Sequence, residues 1–428
     1  MHRQIFPIQM KHLEVLLTAM MSRMTMTYPF NSFKFVLLKK AFLFFPVLFF
    51  FLGSTVSASV ILIPMDAESQ ENHLKAYGIT YWVLTKQQKV QWLLNYRGGS
   101  FLLPDGEVIR KECQIRGVSF EVLSDDKAEQ LLDDISSPSQ NQEAVILEKA
   151  PKIAVYTPKG NQPWDDAVTM VLTYAEIPYV TIYDEEVLDD KLALYDWLHL
   201  HHEDFTGQYG KFYGAYRAAP WYIQGKKEAE ALAQRLGFSK VSEAKRAVAL
   251  KIRNYVIGGG FMFAMCSATD SFDIALAAEN TDICETMFDG DPSEANYQSK
   301  LNFKNTFAFT NFILERNPLR YEFSSIDMTN KRRNVPRESD YFSLTQFSAK
   351  WDPVPTMLTQ NHTSLVKAFM GQTTAFTRDQ VKSTVMVLGE NKINGEARYI
   401  HGIKGKGFFT FYGGHDPEDY QHLVNEEP

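Results

Sequence analysis

The sequence predicts an α/β chain whose main domain is a doubly wound, mostly parallel sheet, preceded by a small α+β domain and interrupted by an irregular insertion. Three observations lead there. From residue 151 onward, short apolar runs rich in β-branched and aromatic residues alternate with helical pattern at the spacing of βα units. One of those runs, in Gly258-Gly-Gly-Phe-Met-Phe-Ala-Met-Cys266-Ser-Ala-Thr-Asp-Ser271, ends on a cysteine and opens a helix. A basic, then apolar, then small-residue segment sets residues 1–58 apart from everything that follows.

Residues 1–58 read as an upstream extension plus a signal peptide. Lys39-Lys40 precede the apolar stretch 41–52, and Val56-Ser57-Ala58 has the small residues of a cleavage site, giving Ser59 as the mature start. Met24 or Met26 would give a signal of ordinary length, so residues 1–23 read as additional. The apolar stretch, interrupted by Pro46, is short for a bilayer span. The expectation is therefore a periplasmic or extracellular protein, with an uncleaved anchor as the alternative and no other membrane contact.

Residues 59–148 form the small α+β domain. Strands are predicted at 59–64, 81–84 and 117–123 and helices at 86–96 and 126–135, closed by the polar, turn-rich Ser136-Ser-Pro-Ser-Gln-Asn-Gln142. The main domain, 149–428, has strands at 152–156, 179–183, 197–201 and 260–265. Its helices are predicted from Asp165-Asp166 to 176, at 226–236 and at 242–255, with Asp270, Ser271 and Asp273 capping a further run at 274–278. Residues 285–380 lack this rhythm and read as an insertion with strands near 307–312 and 320–325. Strands then resume at 383–389, 397–401 and 407–412, and the end at Pro428 without a closing element reads as a truncation.

Composition excludes several function classes. The net charge is −7 over 428 residues, and the basic run Lys331-Arg332-Arg333 is too short to track a phosphate backbone, so no nucleic-acid partner is expected. Arg97-Gly98-Gly99-Ser100 and Gly258-Gly259-Gly260 lack the spacing of a phosphate loop, so neither a nucleotide nor another cofactor is expected. Three cysteines, Cys113, Cys266 and Cys284, are too few for a disulfide framework. A Cys266–Cys284 bridge and a buried inert thiol are the two alternatives to a reactive Cys266.

A thiolate needs a base, and the base an orienting acceptor. His415 follows a predicted strand at Gly413-Gly414, with Asp416 and Glu418 just behind as candidate orienting carboxylates; a surface loop histidine is the alternative. The cluster His199-Leu-His-His-Glu-Asp204 offers His201, His202 and Glu203, with Ser267, as candidates for holding an oxyanion or substrate. Its imidazoles at i and i+2 could also bind zinc, but no second ligand group stands at a telling spacing, so no metal is expected.

The constellation resembles the class I glutamine amidotransferase-like superfamily, with Cys266 at the nucleophile position, His415 at the base position and the loop from His201 to Gly207 where the oxyanion hole is built. The resemblance implies a flavodoxin-like sheet. The motifs Asn72-His-Leu-Lys-Ala-Tyr-Gly78, Asn95-Tyr-Arg-Gly-Gly-Ser100, His199-Leu-His-His-Glu-Asp-Phe-Thr-Gly207, Phe263-Ala-Met-Cys-Ser-Ala-Thr-Asp270 and Tyr412-Gly-Gly-His-Asp-Pro-Glu-Asp-Tyr420 resemble an exported bacterial family usually named asparagine synthetase B. The ATP-dependent synthetase motifs are absent: the chain starts Met1-His2 and has no Ser-Gly-Gly-x-Asp-Ser loop. It also departs from the amidotransferase pattern, with alanines at the elbow and Pro417 where the second residue after the histidine would be a carboxylate. The expected function is a cysteine-dependent amidase or hydrolase with a small-molecule or glycan-type substrate. The alternative is a non-catalytic binding or scaffold protein.

Overall fold

The structure, a computed structural model, describes residues 59–158, 167–332, 334–336, 339–346, 348–351, 364–368 and 371–414. The signal-peptide region and the Asp165-Asp166 cap lie outside the described residues. Among those described, no helix is long and apolar enough to cross a membrane.

The first sheet contains β1 (Ser59–Ile63), β2 (Val90–Leu94), β3 (Phe101–Pro104), β4 (Glu121–Ser124) and β5 (Glu143–Leu147) in the order β4-β1-β3-β2-β5. All of its pairings are antiparallel. Because successive side chains on a strand point to opposite faces, its central strands feed two cores. Ile61, Ile63, Trp92, Leu94, Phe101 and Leu103 face one, and Leu62, Leu93 and Leu102 face the other with Ile135. Helix α1 (His73–Thr85) lies in the first core and α3 (Asp125–Ser136) in the second, with α2 (Glu107–Ile115) packed on α1.

Residues 81–84 therefore belong to α1, not to a strand. Tyr81, Trp82, Val83 and Leu84 have the composition of a strand, but α1 is buried almost all round, which erases the 3.6-residue stripe that marks a surface helix. The predicted helix 86–96 is likewise a left-handed turn at Gln87 followed by β2.

The second sheet has ten strands: β6 (Ile153–Tyr156), β7 (Tyr179–Ile182), β8 (Trp197–Leu200), β9 (Phe261–Met265), β10 (Tyr341–Leu344), β11 (Leu365–Lys367), β12 (Phe376–Thr377), β13 (Met386–Asn391), β14 (Glu396–Lys404) and β15 (Gly407–Tyr412). Their order is β11-β10-β13-β14-β15-β9-β8-β6-β7, with β12 beside β14. The expected flavodoxin-like, doubly wound, mostly parallel sheet is corrected by these pairings. Four are parallel, from β7 to β15, and five are antiparallel, on the side of β14. Together with the antiparallel first sheet this makes a mixed α/β chain. The physical reason is in the turns. Asn394-Gly395 and Gly405-Lys406, with Gly395 and Gly405 at positive φ, close tight hairpins, which force antiparallel neighbours where the sequence rhythm suggests βα crossovers.

Helices α4 (Ala167–Tyr174), α5 (Asp184–Leu188), α6 (Pro220–Arg235), α7 (Val241–Gly258) and α8 (Ser267–Ala277) accompany this sheet. The core that holds α1 also takes Val168, Val171 and Leu172 of α4 with Ile153, Val155, Phe261 and Phe263, so one core joins the two sheets. The core on the opposite side holds residues of α7 and α8. Residues 307–312 and 320–325 are not strands; they form only isolated bridges, with Phe307, Phe309 and Phe323 packed in the core that holds α7 and α8.

Gly78 marks the closest approach between α1 and the chain after α4. A Cβ there would stand 1.9 Å from the Ala175 carbonyl oxygen, whereas one at Gly225 would meet nothing within 4 Å. Gly78→Ala is expected to lower stability by roughly 1–3 kcal/mol through overpacking. Gly225→Ala should raise it by ~0.5–1 kcal/mol through helix propensity and the unfolded state. Urea midpoints of the two variants on either side of wild type check both signs.

Candidate functional site

Cys266 stands between the carboxyl end of β9 and the start of α8, with φ 49° and ψ −138°. An L residue rarely adopts that conformation, which costs of order 1–3 kcal/mol and persists only where the surroundings impose it. They do: the Cys266 N–H donates to the Tyr412 carbonyl at 3.3 Å, fixing the corner to the end of β15, and fully buried Ala264 and Ala268 flank it.

The thiol is enclosed. Cys266 is 6% exposed, and its Sγ donates to the Gln372 carbonyl at 3.0 Å. Burial pushes the thiol well above its ordinary value; the N–H and hydroxyl of Ser267 act against this, and the nearby carboxyls of Asp270 and Asp327 push it further up. All three cysteines are free and buried. Cys284 donates to the Thr206 carbonyl at 3.2 Å, so the Cys266–Cys284 bridge is not formed.

Ser267 and the His201–Glu203 loop are brought together. Ser267 Oγ donates to the His202 carbonyl at 2.8 Å and Ser271 Oγ to the Glu203 carbonyl at 2.9 Å. The Glu203 carboxylate accepts the His201 N–H at 2.9 Å, and the His201 and His202 rings meet through their Nδ1 atoms at 3.0 Å. The described chain leaves β15 at Gly413-Gly414. His415, Asp416 and Glu418 lie outside the described residues.

The zinc alternative finds no converging donor set in this loop. Among the described residues, a set of three with all donor atoms within 4.8 Å of one another belongs to Asp282, Cys284 and Asp289. There the Lys240 ammonium already pairs with Asp282 at 2.7 Å, Asp289 at 3.3 Å and Asp291 at 2.5 Å.

Several residues of the site are not legible in the sequence. Asp270, Ser271 and Asp273 do not cap a helix start, because α8 begins at Ser267 and buries all three. Asp273 instead accepts the N–H groups of Phe307, Ala308 and Phe309 at 2.6, 2.7 and 2.8 Å, fastening the insertion to α8. Asp270 accepts the Thr373 hydroxyl at 3.0 Å, and Asp327 the Thr373 N–H at 2.9 Å. Burial pushes the Asp270 carboxyl well above the usual carboxylate range and the Asp327 carboxyl up to about 6. Residues 371–374 thus enter the site from a stretch that carries no motif; Asp327-Met-Thr329, an Asx-type turn, is the one local signal near them.

No protein-family model and no curated protein matches the chain. Among solved structures it is similar to a cytoplasmic protein from Salmonella typhimurium, at 11% identity over 62% of this chain and 89% of that one, with a TM-score of 0.31. A second cytoplasmic protein, from Salmonella typhimurium LT2, is 13% identical over 63% and 90%, at 0.30. A beta-galactosidase from Bacillus circulans sp. alkalophilus is 12% identical over 72% and 32%, at 0.27.

Proposed function

We propose that this chain is an exported cysteine-dependent amidase or hydrolase, related to the family named asparagine synthetase B and to class I amidotransferases in its site motifs, without ATP-dependent synthetase chemistry. The observation that carries the reading is the strained, non-glycine backbone of Cys266 at a strand-to-helix corner. Strain of that kind is concentrated where a side chain must be aimed, and here it aims a sulfur. The parallel pairing of β9 with β15 supports His415 as the base, since Tyr412 lies beside Met265 and the histidine follows three residues later in sequence.

In this reading the Cys266 sulfur, its proton passed to His415, attacks the carbonyl carbon of an amide or acyl group. Asp416 or Glu418 orients the imidazole, which returns the proton to the leaving amine or alcohol. Water then attacks the thioester, and the acid leaves as the thiol regains its proton. The Ser267 N–H and the backbone near His202 supply donors to the oxyanion.

The enclosure of the thiol by Gln372 supports a second reading, a binding protein that has lost turnover. p-Nitrophenyl acetate separates the two. A hydrolase should release a burst of nitrophenolate with one acetyl group mapped to Cys266, and Cys266→Ala should abolish it while thermal unfolding is unchanged. A burst of equal size in Cys266→Ala, or no acetylation of Cys266 in wild type, would refute the hydrolase.

A further inference from the structure

We propose that residues 371–374 form a latch which keeps the Cys266 thiol protonated and covered, and that the site opens when the carbonyl of a substrate takes the place of the Gln372 carbonyl. This rests on the reading of Cys266 as a nucleophile and concerns how that nucleophile is controlled.

The contact itself sets the chemistry. A peptide carbonyl has lone pairs and no proton, so the 3.0 Å contact with Sγ exists only while the sulfur is a donor. A thiolate would face those lone pairs directly. The same carbonyl occupies the approach to sulfur that an amide substrate needs, and it offers the group such a substrate would bring.

The segment is fastened independently at each residue. Gln372, itself buried, sends its Nε2 to the Gly210 carbonyl at 3.1 Å and to the Tyr321 carbonyl at 2.5 Å. Thr373 is bonded to Asp327 through its N–H and to Asp270 through its hydroxyl. The Thr374 carbonyl accepts from the Arg398 guanidinium. Thr373 is held at φ 52°, left-handed for a β-branched residue. A strained segment pinned on all sides is one that its surroundings force over the sulfur.

One anchor of Gln372, Gly210, is buried, and the other, Tyr321, reaches the surface. Gly210 lies in the run Tyr209, Gly210 and Lys211, with φ of 51°, 67° and 58°. The Phe212 ring that follows is 5.8 Å from both Tyr321 and Trp221 and 5.9 Å from Tyr216, and the last three rings are exposed.

Iodoacetamide labelling of the intact protein, mapped by mass at each cysteine, tests this in wild type, Gln372→Ala and Thr373→Val. Gln372→Ala keeps the covering carbonyl and deletes its two anchors; Thr373→Val keeps the branched shape and deletes the bond to Asp270. Each should speed labelling of Cys266 by about tenfold or more, the loss of one to two hydrogen bonds, while Cys113 and Cys284, both fully buried, keep their rates. An unchanged Cys266 rate in both variants, or an equal rise at all three cysteines, overturns the latch. If Cys266 labels faster in the variants but p-nitrophenyl acetate acetylates it in none of the proteins, the latch stands and the hydrolase falls. If wild type is acetylated and neither variant labels faster, the hydrolase stands and the latch falls.

Discussion

Glu396→Ala is expected to remove about 3–5 kcal/mol of stability, the cost of leaving a buried charge without its partner. Glu396 and Arg398 are two residues apart on β14 and so point to the same face, where both are fully buried. Arg332 and Asp340, also buried, complete a quartet of two positive and two negative groups. Glu396 lies 2.7 Å from Arg332 and 3.0 Å from Arg398, Arg398 is 3.4 Å from Asp340, and Arg332 pairs closely with Asp340. Burial, then the neighbouring Arg332, pushes the Arg398 guanidinium down to about 10, which still leaves it charged at neutral pH. Alanine at 396 would leave two guanidiniums sharing one carboxylate in the interior, against a total stability of about 5–15 kcal/mol for an ordinary domain. Urea unfolding measures the loss. The double variant Glu396→Met with Arg398→Met removes one charge of each sign and leaves Arg332 paired with Asp340, so it should cost clearly less than the two single changes summed. Strict additivity would mean that charge balance is not what holds this cluster. Arg398 also binds the Thr374 carbonyl, so the same quartet fixes the segment over Cys266.

None of these four residues announces itself in the sequence, and the reason separates what is legible there from what is not. The Cys266 corner is readable because its signal is local: an apolar strand, a cysteine and a helix within a few residues. The helices at 226–236 and 242–255 are readable for the same reason; Val241–Gly258 matches to within three residues at either end, while Pro220–Arg235 begins six residues earlier than expected. Direction in the sheet is harder to read, although Asn394-Gly395 is present; hairpin turns decide it, and the βα rhythm upstream masks them. The strand-like composition of 81–84 misleads because tertiary burial of α1 on both sides outweighs β-propensity. The site residues Asp270, Asp327, Gln372 and Thr373 are joined by bonds spanning 46 to 106 positions, which no local pattern encodes.

Stability attributable to Asp327 is expected to fall by about 2.4 kcal/mol as pH rises from 4 to 7, out of about 3 kcal/mol in all, at about 1.4 kcal/mol for each pH unit by which the folded value exceeds the unfolded one. Its carboxyl accepts the Thr329 N–H at 2.7 Å, the Thr329 hydroxyl at 2.6 Å and the Thr373 N–H at 2.9 Å. Those bonds favour the carboxylate, yet burial outweighs them and lifts the group from 3.8 to about 6, with Glu322 adding to the rise. The sign follows from which state holds the proton. Below pH 3.8 the group is protonated folded and unfolded, and its contribution is fully present. Between about 4 and 6 the unfolded chain releases the proton while the folded chain retains it, so folding becomes progressively less favourable. Above about 6 the folded protein carries a buried charge and the loss is complete. Asp327→Asn keeps an acceptor for Thr373 and cannot titrate. The difference in unfolding free energy, variant minus wild type, should therefore climb by about 2.4 kcal/mol between pH 4 and 7. Asp270 is raised by burial and by Asp327 itself, so removing the Asp327 charge also relieves Asp270, in the same direction. A difference that stays level across this range would mean that Asp327 is ionised in the folded protein throughout.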